Sequence, residues 1–365
     1  MAGRAGRAGR AGRAGRAGRA GRAGRDDAIL DDVSLAAALM THREGIVPYS
    51  PDPADLTPVV YGDPLARLKA LDRIPREVVI DDRLFCRFPT FDSGVNCTDL
   101  EPDPGGSQTL VKLSPPNDSF FVGQLEDLRT YADLRPDRLD EILVQQYDIL
   151  SFFAASLKLE SGYVFWTVEL VEAVVRLCGY VEFPLKFSFD IARPSQHSSK
   201  VMPVIATPGH GSWPSGHATE AFAVATVLAG LLHRKVNSTS TFRLLDVASP
   251  SDTPAAILVR TAMRIADNRV VGGVHYPYDG VAGAVLGIGI GQALVNYLSG
   301  AKKTPFYMLE GNPALVAASL TTDALVAVTT AAPQVEVKFA DKPSKRDPLL
   351  LAIWDRAVAE VSGIL

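Results

Sequence analysis

From Asp137 to Leu298 one helix-length apolar pattern follows another, with no strand-like alternation between them. Leu139, Ile142, Leu143, Leu150, Phe153 and Leu157 recur mostly at spacings of three, four or seven, as one face of a long helix requires. Pro136 stands near its start, where a missing N–H does no harm. A second helix is expected over about 163–180, with Val164, Val168, Val171, Val174 and Val175 toward the core. A third begins after His217, a fourth covers about 253–271, a fifth about 279–298, and two more occupy 313–330 and 347–361. Helices in such succession bury their apolar faces on one another, which predicts an all-α helical bundle. Residues 28–120 differ: they are rich in Pro, Asp and Gly ("YSPDPADLTP", "TDLEPDPGGSQ") and read as a largely irregular wrapping segment. The expected organisation is a tail over 1–27, the irregular segment over 28–120, a helical domain over 121–300 and a helical extension over 301–365.

The 47% of hydrophobic residues suffices for a core. Residues 2–25 are eight tandem Ala-Gly-Arg triplets, holding eight of the 37 basic residues and none of the 41 acidic ones, so the rest of the chain carries an excess of 12 acidic groups. An acidic body argues against a nucleic-acid partner. The triplets bury nothing and repel one another, so disorder is expected there. They resemble neither a secretory signal nor a transit peptide, from which a cytoplasmic location is expected. Cys86, Cys97 and Cys178 are odd in number and form no CxxC pair, which fits a reducing compartment and leaves a Cys86–Cys97 disulfide as the alternative. The longest apolar stretch, Val281–Leu298, contains Gln292 and Asn296 and reaches only the lower limit for a bilayer span. A soluble protein without integral membrane insertion is expected, and homo-oligomerisation is left open.

Three segments carry the chemistry. In "KFSFDIARPSQ", between the second and third expected helices, Lys186 and Arg193 flank Asp190. Alone, two such cations would solvate a helix end and offset its dipole. In "TPGHGSWPSGHATE", Pro214, Ser215, Gly216 and His217 precede an apolar helix, where free N–H groups attract anions and glycine lets a ligand approach the backbone. Ser215 as an ordinary N-cap, and His210 as a loop residue bonded to backbone or water, are the plainer readings. In "NRVVGGVHYPYD", Asp279 follows His275 by four residues, a spacing suited to orienting one imidazole nitrogen and freeing the other. A surface ion pair of Arg269 with Asp279 is the alternative. Jointly, three cations, a glycine-bearing helix start and two histidines suit a tetrahedral oxyanion. His42, His197 and His233 stand alone and read as surface or helix-end residues.

The series Lys186-x6-Arg193-Pro194, Pro214-Ser215-Gly216-His217 and Arg269-x5-His275-x3-Asp279 resembles the three-part signature of the superfamily joining type 2 phosphatidic acid phosphatases, bacterial class A acid phosphatases and vanadium-dependent haloperoxidases. It spans about a quarter of the chain, and departs from the usual pattern at Asn268, where Ser normally precedes the Arg. The resemblance implies a helical bundle of the acid phosphatase/vanadium haloperoxidase type. In a phosphatase, His275 would attack phosphorus, Asp279 would orient it and His217 would protonate the leaving oxygen. Lys186, Arg193, Ser215, Gly216 and Arg269 would hold the nonbridging oxygens. In a haloperoxidase the same residues would hold vanadate, with His275 bound to vanadium, His217 managing protons and Lys186 polarising bound peroxide. The substrates would be hydrogen peroxide and halide, or a phosphate ester with no cofactor required. The long helical stretch before Lys186 and the "GVHYPYD" segment resemble the soluble bacterial haloperoxidase-like branch, and His210 matches a position where bromoperoxidases also carry His. A soluble acid phosphatase and a non-catalytic oxyanion-binding module are the alternatives.

Overall fold

The computed structural model describes residues 62–102, 107–157, 159, 163–233, 240–249, 252–310, 320–331, 336–340 and 346–364; the Ala-Gly-Arg tail and the residues up to 61 lie outside them. By contact the chain divides between Val79 and Ile80. In the smaller unit, helix α1 (Pro64–Ala70) starts on Asp63, whose carboxylate accepts the Leu65 N–H at 3.1 Å, with Pro64 at its first position. Helix α2 (Arg73–Phe85) spans the boundary.

The larger unit is mostly helical. After strands β1 (Thr90–Phe91), β2 (Gly94–Asn96) and β3 (Thr109–Leu113) come α3 (Asp118–Gly123), α4 (Leu125–Ala132), α5 (Arg135–Gln145), α6 (Leu150–Leu157), α7 (Phe165–Phe189) and the short α8 (Pro194–His197). They are followed by α9 (Gly216–His233), α10 (Leu244–Val247), α11 (Pro254–Val271), α12 (Pro277–Ser299), strands β4 (Lys303–Pro305) and β5 (Tyr307–Leu309), α13 (Thr322–Ala331), β6 (Glu336–Lys338) and α14 (Pro348–Ile364).

Helix α12 is the hub. It is long and apolar enough to cross a membrane, yet the whole apolar window is buried within the protein. A helix apolar on every side is accounted for by a central position in a core. Its glycines permit close packing on α9: a methyl at Gly283 would run into the Ser215 carbonyl, and one at Gly287 into that of Thr219. Helix α7 packs on α9 and α14. Its start is capped from α14, where Glu360 accepts the backbone N–H groups of Trp166 and Thr167 at 2.9 and 2.8 Å.

The all-α expectation holds, with three corrections. Residues 62–120 are not largely irregular but hold two helices and three strands, because Asp63 and Pro64 start a helix and Gly94 lies inside a strand, where a side chain would strike the backbone of Val111. Residues 301–340, expected as part of a helical extension, contain β4–β6. Strand β5 runs parallel to β3, completing a sheet ordered β1-β2-β3-β5, and β4 pairs antiparallel with β6. Such long-range ladders leave little trace in local periodicity. The expected long helix from Asp137 is broken, since the Asp148 carboxylate accepts the Ser151 N–H at 3.0 Å and starts α6 afresh.

Candidate active site

Four elements converge: the last turn of α7 with the loop behind it, the start of α9, the end of α11 and the start of α12. Lys186 lies inside α7, not between helices as expected, because α7 runs through Pro184 to Phe189 and is closed by Asp190 in the left-handed region (φ 46°). Asp190 forms no ion pair with Lys186 or Arg193 among the described residues. The starts of α9 and α12 are tied directly, the Ser215 N–H donating to the Asp279 carbonyl at 2.9 Å.

His275 and Asp279 form the pair that their spacing predicts. The imidazole Nδ1–H donates to Asp279 Oδ2 at 2.9 Å, and the same oxygen accepts the Tyr276 N–H at 2.9 Å and the Ser212 hydroxyl. Both residues are buried. Burial raises the Asp279 carboxyl to about 6, against the opposing Ser212 hydrogen bond. Burial, then the cations of Arg193 and Lys186, push His275 well below the ordinary histidine range. The ring is therefore neutral, with its proton on Nδ1 and a lone pair on Nε2 facing Arg193 Nη1 at 3.3 Å.

Lys186 and Arg193 are not surface cations. The ammonium donates to the carbonyls of Gly211 (3.4 Å), Ser212 (3.2 Å) and Pro214. Burial lowers it to about 8, although Glu182 one helical turn away favours its charged form. Arg193 donates from Nε to the His210 carbonyl (3.0 Å), from Nη1 to the Val274 carbonyl (2.7 Å), and from Nη2 to the Gly211 carbonyl (3.3 Å). Nη2 also faces His210 Nδ1 at 3.2 Å, so His210 is both backbone-bonded, as its plainer reading holds, and on the site. The two cations knit the 210–214 loop to α7 and to Val274.

Arg269 differs. It is buried, its Nη2 donates to the Ile142 carbonyl (3.2 Å) and Gln145 Oε1 (3.1 Å), and its Nε and Nη1 have no partner among the described residues. The surface-pair reading with Asp279 therefore fails. The buried Ser215 Oγ is likewise without a partner, so Ser215 is not a side-chain N-cap. At Gly216 a side chain would collide with the Glu182 carboxylate, which thus lies against the start of α9. His217 Nε2 lies 2.9 Å from the Gln145 carbonyl; because a carbonyl only accepts, the proton is on Nε2 and the lone pair on Nδ1. Burial and the Arg269 charge hold this ring down to about 3. The positive charges of Lys186 and Arg193 add to the depression of both histidines.

Sequence reasoning missed Ser212, Gln145 and Glu182. His197 ends α8, as its helix-end reading holds, and has its Nδ1 2.6 Å from the hydroxyl of Tyr276. Ser212 sits inside the quoted "GSWPSGH", a signal available but not used, whereas nothing in "LVQQYD" marks Gln145. Asn268, the departure from the usual Ser, accepts from Arg138 (3.0 Å) and donates to Glu141 (2.9 Å) and to Gln145 Oε1 (3.0 Å). That substitution thus ties α11 to α5.

This set of groups suits a tetrahedral oxyanion: three buried cations, unmatched Arg269 N–H groups, the Ser215 hydroxyl and one imidazole lone pair. No curated protein matches the chain. Residues 167–303, which include every site residue named from the sequence, match the model of the PAP2 superfamily.

Proposed function

We propose that the protein is a vanadium-dependent haloperoxidase-like enzyme that oxidises halide with hydrogen peroxide. The superfamily match supports oxyanion chemistry of phosphatase or haloperoxidase type. The observation that favours the haloperoxidase branch is His210, whose ring lies on Arg193 at 3.2 Å, at a position where bromoperoxidases of this superfamily resemble the chain. His275 Nε2 would hold vanadate, with Arg269, Ser215 and Gly216 around its oxygens and Lys186 and Arg193 supplying charge. Vanadate held there supplies the activation of hydrogen peroxide toward halide. In the net reaction the O–O bond of peroxide breaks, halide loses two electrons to become hypohalous acid, and the other oxygen leaves as water, with one proton consumed.

The chain's own part is orientation and proton control. Asp279 fixes His275 as the Nδ1–H tautomer and keeps Nε2 available. His217 moves protons at Nδ1, and a bound anion offsets the cations that hold its basicity down. The 210–214 loop, tied by Lys186 and Arg193, prepays the ordering of the pocket.

A second reading, phosphomonoester hydrolysis, is favoured by the same lone pair on His275 Nε2. There an N–P bond forms as the ester P–O bond breaks, the leaving oxygen takes a proton from His217, and water then cleaves the N–P bond. The test is bromide oxidation by hydrogen peroxide on protein stripped of oxyanions and titrated with orthovanadate, with His275→Ala as the blank. Saturable activity that needs vanadate and vanishes in the variant is expected. Silence at every vanadate concentration, with phosphomonoester hydrolysis that vanadate inhibits, would overturn the proposal in favour of the second reading.

A further inference from the structure

The end of α5 lies outside residues 167–303, yet it reaches the site through one residue, Gln145. Gln145 is 1% exposed and makes three contacts there. Its backbone carbonyl accepts from His217 Nε2 at 2.9 Å. Its side-chain oxygen accepts from Arg269 Nη2 at 3.1 Å and from Asn268 Nδ2 at 3.0 Å. Two donors converge on that atom, which settles the amide orientation: the oxygen faces Arg269 and Asn268, and the nitrogen faces elsewhere. The nitrogen, Nε2, has no hydrogen-bond partner among the described residues.

A buried primary amide with both N–H groups unmatched is costly unless a ligand uses them. Residues that Gln145 engages, or that lie close to them in sequence, carry further unmatched groups. Arg269 Nε and Nη1 are on the guanidinium that Gln145 holds, and Ser215 Oγ is two residues from the His217 that it also holds. These are donors or hydroxyls and ask for acceptor oxygens, whereas the buried Asp279 Oδ1, also without a partner among the described residues, asks for a donor such as a protonated oxygen.

Resting on the oxyanion reading above, we propose that Gln145 is an additional ligand-binding residue of this site. Its Nε2 donates to an oxygen of the bound tetrahedral anion while Oε1 holds the Arg269 fork in place. A neutral amide extends recognition beyond the cationic cradle without adding charge, and it makes α5 a wall of the pocket. Because Gln145 also engages His217, the anion and the proton-handling ring are registered by one residue.

The experiment measures binding of orthovanadate and of inorganic phosphate by calorimetry to the full chain and to two variants. Gln145→Met removes every side-chain hydrogen bond at similar volume. Gln145→Glu keeps oxygens for Arg269 and Asn268 but has no donor. Both variants are expected to bind each anion roughly 10- to 100-fold more weakly, the range for a hydrogen bond to a charged group. Because the added charge of Glu alone repels anions, a second readout is needed: the side-chain amide resonances of Gln145, identified by their loss in either variant, should shift when anion is added to the unmodified protein. Affinities within threefold of the unmodified protein would sink the proposal. So would recovery of full affinity in Gln145→Glu, which would mark Gln145 as an acceptor that only positions Arg269, or amide resonances that stay in place as anion saturates. If the unmodified protein binds neither anion, the oxyanion reading itself fails; anion binding indifferent to Gln145 removes this inference alone.

Discussion

On the side of the 210–214 loop all three nitrogens of the Arg193 guanidinium and the Lys186 ammonium donate to carbonyls; across the site Arg269 uses one terminal nitrogen and leaves Nε and Nη1 unmatched among the described residues. The sequence motif presents these three cations as equivalent, and the tertiary structure separates their work. The committed pair builds the pocket, because its hydrogen bonds fix the loop that carries Ser212 and lead into Ser215. The uncommitted guanidinium, with Ser215 Oγ, retains the donors that a ligand needs. An anion that reaches His275 Nε2 also meets Arg193 Nη1, so one contact of the committed wall faces the reacting atom.

The largest expected effect tests whether the site reacts at all. His275→Ala should lower turnover, in bromide oxidation or phosphomonoester hydrolysis, by about a thousandfold or more, as loss of a reacting group does. A binding module would show only a change in anion affinity.

The division between the walls is tested next. Arg269→Met should weaken phosphate and vanadate binding by roughly 10- to 100-fold with a modest fall in Tm. Arg193→Met should instead cost on the order of 2–3 kcal/mol in stability, because it strips donors from the half-buried His210 carbonyl and the buried Val274 carbonyl. Equal losses of affinity at equal Tm in the two variants would break the comparison.

The pH profile sharpens it. Asp279 must be ionised to accept the His275 proton, so turnover should fall as pH drops through about 6. Lys186 loses its charge as pH rises through about 8, so anion affinity should fall above that value and Lys186→Met should remove this alkaline limb. Stability runs differently. His217 is held at about 3 when folded against about 6.5 unfolded, so the unfolded chain binds more protons between these values and stability rises with pH across that window. Acid denaturation of His217→Gln should be correspondingly less steep, provided its amide keeps the bond to the Gln145 carbonyl.

The smallest effect concerns the packing beneath both walls. Gly283→Ala should destabilise by about 1–3 kcal/mol, measured by denaturant titration, because the methyl meets the Ser215 carbonyl and pushes α9 from α12. Activity should fall with it, since Ser215 N–H and the Asp279 carbonyl hold the two helix starts together.

Much of the site was legible in the sequence because its groups come in short, rigid spacings. Four residues from His275 to Asp279 let the carboxylate in the first turn of α12 reach back to the ring just ahead of the helix, which Tyr276-Pro277 starts. The helices over 254–271 and 277–299 were likewise readable, because their caps and apolar lengths are local. The strands at 303–309 were not, because β5 is created by pairing with β3 almost two hundred residues away. Lys186 was placed outside its helix, which was expected to end near residue 180, while packing of α7 against α9 and α14 carries the helix past Pro184.

The sequence by itself determined the all-α class and singled out the candidate site residues, since both rest on periodicity and on side-chain chemistry at close spacing. Only the tertiary structure decided which cations hold the loop and which keep free donors, since that depends on carbonyls brought in from 210–214, Ile142 and Val274. It alone brought in Gln145, because a buried amide acquires a role from the partners that folding places on one of its ends and withholds from the other.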